Sequence, residues 1–227
     1  MSNTTAHRRS SSGSRSPYRA AAARSRRGPS RRTVARRRRL FAILVALLVG
    51  GAIAVVAAVP GVQEGIRDLY LPLQHEDIIR QQARDKDLDP ALIAAVIYQE
   101  SKFEDRTSSA GAKGLMQILP STAKFIAGRT GGTSFVPSDL ATPQVNIAYG
   151  SYYLRYLLNR YDGNETLAIA AYNAGETNVA HWIREAGGEG RFHPSDIPFP
   201  ETRAYVTSVE RHQKDYRRNY AKELGLD

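Results

Sequence analysis

Asp89-Pro90-Ala91-Leu92-Ile93-Ala94-Ala95-Val96-Ile97-Tyr98-Gln99-Glu100-Ser101 is the stretch that decides how this chain folds. Aspartate is a preferred N-cap, and proline is tolerated in a first helical turn because the N–H it lacks has no partner there, so a helix is predicted over Pro90–Ser101. Residues three and four apart share a helix face, which puts Glu100 on the stripe of Ile93, Val96 and Ile97. Burying those aliphatics draws the carboxylate toward the core. Desolvation and the negative end of the helix dipole both disfavour the anion, so Glu100 is expected to titrate above the ordinary carboxylate range. That suits a general acid. The plain alternative is a last-turn glutamate whose long side chain reaches solvent.

Outward from this helix the pattern is almost wholly helical. Ile78, Ile79 and Gln82 share one face over residues 75–86. Residues 104–119 are irregular and rich in Ser and Gly, suited to a tight turn or a small strand pair. A helix is predicted from Pro120 to about Gly128. After Gly131, Gly132 and Pro137 a longer one covers 143–161, with Ile147, Tyr149, Tyr152, Tyr153, Tyr156, Leu157 and Leu158 near a 3.6-residue period, as core and rim. Asp162-Gly163-Asn164 reads as a turn. Helices follow over 165–173, stopped by Gly175, and over 177–186, where Val179, Trp182 and Ile183 form a core stripe. The last helix begins near Glu201 and reaches Leu224. The fold class is mainly α, with no repeat of fixed period.

The net charge of +10 is unevenly spread. Residues 1–39 hold thirteen arginines and no lysine or acid, leaving 19 basic against 22 acidic residues in the remainder. The first segment is a Ser/Arg-rich tail too poor in large apolar residues to offset its chain entropy, and disorder is expected there. No specific nucleic-acid partner is expected for it. Leu40 opens a run of twenty uncharged residues, 40–59, enough to span a hydrocarbon core of roughly 30 Å as a helix. Arg36, Arg37, Arg38 and Arg39 abut its start and no basic cluster follows its end at Val59, so the tail is expected in the cytoplasm and the rest outside, in a single-pass cell-membrane protein. The competing reading is a signal sequence cut near Ala54, although the basic preface and the apolar run are both long for one. Residues 60–72 read as a juxtamembrane spacer in which Gly61 and Gly65 break the membrane helix. Fully extended it would reach ~40 Å, which would confine the remaining domain, 73–227, to the membrane's vicinity.

Without cysteine the chain has no disulfide and no thiolate metal site. His75, His181, His193 and His212 show no zinc spacing, and neither a metal nor a cofactor is expected. Three segments accompany Glu100. Gly111-Ala112-Lys113-Gly114-Leu115-Met116-Gln117 sets glycines, which allow close backbone approach, next to an amide. Ala171-Tyr172-Asn173-Ala174-Gly175 ends a helix with a phenol and an amide before a glycine stop. Ile197-Pro198-Phe199-Pro200-Glu201-Thr202-Arg203-Ala204-Tyr205-Val206 opens the final helix with a carboxylate. Each alone is adequately explained by turn or cap chemistry.

In this order, Glu100-Ser101, Gly114-Leu115-Met116-Gln117, Ala171-Tyr172-Asn173-Ala174-Gly175 and Glu201-Thr202-Arg203-Ala204-Tyr205-Val206 resemble the successive motifs of the soluble lytic transglycosylase catalytic domain, family 1, a lysozyme-like fold similar to goose-type lysozyme. The resemblance covers about residues 70–222, with Glu76-Asp77-Ile78-Ile79-Arg80 and Leu88-Asp89-Pro90 similar to that family's opening helices. It implies a single globular helical domain with a glycan cleft and a peptidoglycan substrate, cut between N-acetylmuramic acid and N-acetylglucosamine to leave a 1,6-anhydro-muramyl end. Partners in the cell-wall machinery would accompany such an enzyme.

By the same resemblance Glu100 is the catalytic acid, protonating the glycosidic oxygen and then acting as base on the muramyl C6 hydroxyl. A standard glycosidase needs two carboxyl groups, whereas one group can act twice here because the first step leaves it deprotonated. Ser108 and Gln117 match contacts to the sugar or its N-acetyl group, Tyr172 and Asn173 would line the cleft, and Glu201 would shape the site and, by like charge, help keep Glu100 protonated. Glu104 and Asp105 are the candidates for a lysozyme-like second carboxylate. Lys102, Glu104, Asp105 and Arg106 make the segment after Glu100 more charged than the family pattern. Met116 could floor the cleft or simply fill the core. The rival readings are a lysozyme-like muramidase and a non-catalytic peptidoglycan-binding scaffold.

Overall fold

A computed structural model describes residues 31–131 and 135–226. Residues 1–30, on which most of the tail falls, lie outside the described residues. The chain divides into two compact units, the first ending at Val55 and the second beginning at Val56.

Among the described residues, the first unit holds the greater part of helix α1, Arg31–Ala58. The helix begins nine residues before Leu40, so the boundary expected between tail and apolar run falls inside a helix. Arg and Ala are good helix formers, and extending an existing helix costs little once it is nucleated. Its stretch Val34–Ala58 is long and apolar enough to cross a membrane.

In the second unit the spacer is not an extended linker. Val59 is extended, and Pro60 starts helix α2, Pro60–Tyr70, which runs through both Gly61 and Gly65. The break therefore sits at the proline, which cannot continue a helix but is well suited to begin one. Eleven helical residues span ~16 Å, well short of the extended reach. Tertiary contacts outweigh the glycines. The Arg67 guanidinium lies 4.0 Å from the Tyr220 ring centroid, and the Tyr220 hydroxyl donates to Asp68 at 2.9 Å.

Helix α3, Glu76–Lys86, buries Ile79, Gln82 and Ala83. Helix α4 covers Pro90–Ser101 as predicted, with the Asp89 carboxylate accepting from the Ala91 N–H at 2.9 Å. Burial along α4 is not confined to one stripe, because every residue from Ala91 to Ile97 is buried. A helix apolar all round belongs at the centre of a domain, and the unbroken run of aliphatics already carried that signal. Helices α5, Pro120–Thr130, α6, Pro143–Arg160, α7, Glu165–Ala174, and α8, Glu176–Ala186, follow. Trp182 of α8 is a core residue, edge-on to Phe199. The α6 core face is Asn146, Ile147, Gly150, Ser151, Leu154, Leu157 and Leu158, with Tyr149, Tyr152, Tyr153 and Tyr156 at its rim. The expected final helix is two, α9, Pro200–Asn219, and α10, Ala221–Leu224, separated at Tyr220.

The pairing of α4 with α9 organises the domain. Asp89, at the start of α4, accepts from Gln213 and Arg217 late in α9 at 2.8 and 2.7 Å. Glu100, at the end of α4, meets Tyr205 early in α9. The two helices are thus antiparallel, and their register places one end of α4 against the first turns of α9.

Candidate active site

Glu100 sits where α4 leaves the core. Tyr98, Gln99 and Glu100 are partly exposed, and the chain then turns back through two left-handed residues, Lys102 (φ 56°) and Phe103 (φ 66°). The Lys102 N–H closes the helix on the Tyr98 carbonyl at 2.9 Å. A bulky residue such as phenylalanine adopts that backbone at a cost and needs its surroundings to hold it. Phe103 is buried, with its ring 6.2 Å from that of Tyr216. This reversal brings Arg106 back over the helix end, where its guanidinium donates to the Glu100 carbonyl.

The Glu100 carboxyl faces α9, and the Tyr205 hydroxyl donates to its Oε1 at 2.6 Å. Burial pushes the Glu100 pKa up to about 7, against the opposing pull of that hydrogen bond and of the Arg106 charge. The cause is desolvation. Burial is the influence that raises it, and the Tyr205 hydroxyl and the Arg106 charge both act the other way. Tyr205 and Tyr172 are both held well above the ordinary phenol range, first by burial and then by the nearby Glu100 charge. Both are therefore neutral donors at physiological pH.

The loop facing Glu100 is fixed from α6. Asn146 is buried and satisfies three main-chain groups. Its Oδ1 accepts from the Met116 N–H at 2.7 Å, and its Nδ2 donates to the Lys113 and Leu140 carbonyls at 2.8 and 2.9 Å. Gly114 (φ 73°) lies against this amide, and a Cβ there would run into Asn146 and the Leu140 carbonyl. Gly150 admits the Met116 side chain in the same way, which makes Met116 a fully buried core residue and not a cleft floor. Single antiparallel bridges join Thr107 to Lys113 and Lys113 to Ile118, the remnant of the expected strand pair. The Gln117 amide nitrogen donates to the Arg106 and Gly114 carbonyls at 2.9 and 2.8 Å, so the side chain has its carbonyl oxygen left for a ligand. From α7 the Tyr172 hydroxyl donates to the Met116 carbonyl at 2.9 Å.

These elements enclose a groove of about 390 Å³ whose lining includes Glu100, Arg106, Gln117, Asn173, Glu201 and Tyr205. Asn173 accepts from the Thr202 hydroxyl at 2.8 Å, tying the end of α7 to the first turn of α9. Glu201 is exposed on that turn. Tyr172 is near enough to feel the Glu100 charge but is not among the residues lining this groove. Ser108 is elsewhere, its hydroxyl accepting from the Ala112 N–H at 3.1 Å within the turn. Glu104 and Asp105 are exposed and line no part of the groove. Two residues with a large part in the site were not singled out from sequence. Tyr205 was visible only as one residue of a motif, and Asn146 only as a polar position on the apolar face of α6. Among the described residues, no group of three or more His, Asp or Glu side chains is placed to hold a metal ion.

Comparison with known proteins points the same way. The chain is 35% identical over 150 residues to the soluble lytic murein transglycosylase of Salmonella typhimurium, covering 64% of this chain and 23% of that protein. It is 34% identical over 164 residues to the membrane-bound lytic murein transglycosylase C of Salmonella arizonae, covering 62% and 46%. Among solved structures it resembles the 70-kDa soluble lytic transglycosylase of Escherichia coli, with a TM-score of 0.64 at 31% identity over 70% of this chain and 26% of that one. The chain thus spans about a quarter of the length of its soluble relatives. Residues 77–193, just over half of the chain, match the family model described as Transglycosylase SLT domain, and the chain belongs to that family.

Proposed function

We propose that this chain is a membrane-anchored peptidoglycan lytic transglycosylase. It cleaves the β-1,4 bond between N-acetylmuramic acid and N-acetylglucosamine and closes a 1,6-anhydro ring on the muramyl residue. The observation that carries the reading is one half-buried carboxyl in the groove, Glu100, poised near neutrality and bonded to a phenol instead of a second acid. At neutral pH both of its protonation states are accessible, as a group that first gives and then takes a proton requires.

In the proposed sequence Oε1 accepts from Tyr205, which leaves Oε2 to carry the proton. That proton passes to the glycosidic oxygen as the C1–O bond breaks. The resulting carboxylate, still bonded to Tyr205, takes the proton of the C6 hydroxyl while the C6 oxygen bonds to C1. One bond is broken and one formed, Glu100 ends protonated, and no water is consumed. Gln117 and Asn173 are assigned to contacts with the saccharide, Glu201 to shaping the groove, and Tyr172 to holding the loop that carries Gln117. Ser108 is retained as a contact to a more distant sugar or N-acetyl group. Anchoring is supported by the span Val34–Ala58, whose part from Leu40 onward is uncharged, and by Arg36, Arg37, Arg38 and Arg39 at its N-terminal end, which favour a cytoplasmic N-terminus and an extracytoplasmic catalytic unit.

The test is digestion of purified sacculi by the full chain, followed by mass spectrometry of the released muropeptides. Products lighter by one water, with anhydro-muramyl ends, are expected. Reducing muramyl ends alone would make the protein a muramidase. Glu100→Gln should abolish release while leaving sacculus binding intact, and unchanged release would remove Glu100 from the mechanism.

A further inference from the structure

Helix α2 is amphipathic in the reverse sense. At about 100° per residue, Val62, Ile66, Leu69 and Tyr70 fall on one side of it, Arg67 falls across from Val62 and Leu69, and Asp68 falls on the flank between. A surface helix of a soluble domain buries its apolar side, but α2 is held to the protein through Arg67 and Asp68, while Ile66 and Tyr70 edge an open groove beside His212, Asp215 and Asn219 and Leu69 stands clear of it. Arg67 donates to the Asn219 carbonyl at 3.1 Å, pairs with Glu223 at 3.3 Å and stacks on Tyr220, while Asp68 accepts from the Tyr220 hydroxyl. Leu69 is left 75% exposed, Tyr70 71% and Ile66 39%. Such an outward apolar face calls for a cover.

We infer that the cover is lipid, and that α2 lies in the headgroup–acyl boundary of the bilayer and seats the catalytic unit on the membrane surface. The inference rests on the anchor reading above. Its support is continuity, since one extended residue, Val59, separates Ala58, the end of the apolar span, from Pro60, the start of α2. The helix therefore begins where the hydrocarbon ends, and the break at Val59 lets it change direction there. A helix laid along the interface keeps Ile66 and Leu69 at acyl depth and Tyr70 at the headgroups, where tyrosine is favoured. A protein partner or a second copy of the chain could also cover this face, but neither is tethered beside it as the bilayer is.

The chain has no cysteine, so one introduced thiol is a unique label. The full-length variants Leu69→Cys, Leu47→Cys and Asn159→Cys would each carry an environment-sensitive fluorophore in phosphatidylcholine–phosphatidylglycerol vesicles containing doxyl lipids. For Leu69→Cys we expect a blue-shifted emission quenched on the order of two-fold by doxyl placed near the headgroup, and less by doxyl near the chain end. The Asn159→Cys label, on an exposed part of α6, should stay unquenched. A Leu69→Cys label as wet as that control overturns the inference, as does one that is blue-shifted but untouched by doxyl lipid, which would mean a protein cover. Leu47→Cys separates the two levels. If its label is quenched by deep doxyl while Leu69→Cys is not, the interfacial helix alone fails; if Leu47→Cys is also unquenched, the anchor fails and takes this inference with it.

Discussion

The Tyr205 hydroxyl donates to Glu100 Oε1 at 2.6 Å across the antiparallel contact of α4 and α9, joining residues 105 positions apart. This bond favours the carboxylate and opposes the burial that disfavours it. Tyr205→Phe should therefore move the Glu100 pKa above its value of about 7. It should also lower glycan release by roughly 10–100-fold, since the anion formed after the first proton transfer loses its donor. The pH dependence of release from sacculi measures both effects. An apparent pKa that falls in Tyr205→Phe would contradict the assignment of the phenol as donor to the anion.

Glu100 also links stability to pH. Its folded pKa of about 7 lies above the ordinary value of 4.5, so the native state binds more protons than the unfolded chain between those limits. Stability from this group is fully present below pH 4.5 and is lost as pH rises through 7, where ionising a buried carboxyl costs up to about 3 kcal/mol. Glu100→Gln removes the ionisation, so the inactive variant should gain stability relative to the parent at pH 8, and the difference should shrink on acidification to pH 4.5. Urea unfolding at the two pH values tests this. An equal difference at both would mean that the carboxyl is solvated in the folded protein.

The loop carrying Gln117 depends on Asn146. Asn146→Ala removes the partner of the Met116 N–H and of the Leu140 carbonyl, while the Lys113 carbonyl keeps the Ile118 N–H, and each buried group stranded in this way costs on the order of 1–3 kcal/mol before water or relaxation compensates. Gly114→Ala should be destabilising for a different reason, because a Cβ meets Asn146 and Leu140 at a left-handed backbone angle. Both variants should lower the unfolding midpoint and reduce glycan release, whereas Gly111→Ala, at a left-handed glycine with open space around it, should show only the backbone cost. Equal losses at Gly111 and Gly114 would rule out the packing argument.

What the sequence could reveal followed the range of the interactions. Helix α4 was legible to the residue because its start is a local cap, Asp89-Pro90, and its apolar composition is unmistakable. Glu100 was legible because it ends that run. Tyr205 was not, since a tyrosine on an amphipathic helix is ordinary until α9 is laid antiparallel to α4, and no local pattern states that register. Asn146 left a faint trace, a polar residue followed four positions on by Gly150 along an apolar face, which is the mark of a helix that another chain segment approaches closely. The helix over Pro60–Tyr70 was not legible because Gly61 and Gly65 weigh heavily in propensity, while the contacts of Arg67 and Asp68 with Tyr220 that hold α2 come from the far end of the chain. Ser108 shows both levels at once, for its hydroxyl accepts from the Ala112 N–H within the turn and keeps its own O–H as a donor.

The opposite end of the α4–α9 pair offers a control in which stability changes without chemistry. Asp89 caps α4 through Ala91, and its other oxygen receives both Gln213 and Arg217 of α9. The Arg217 pair is more than half exposed on the arginine side and adds little by itself, while loss of an N-cap costs about 1 kcal/mol. Asp89→Ala should therefore destabilise the domain by about 1–2 kcal/mol, and Asp89→Asn, which keeps the cap and loses the charge, by less. Since Asp89 lies a full helix length from Glu100, both variants should retain the parent's pH profile for glycan release at temperatures well below unfolding. A displaced profile in Asp89→Ala would mean that α4 shifts along α9 when its cap is lost, and that the Glu100–Tyr205 register is set from both ends of the helix pair.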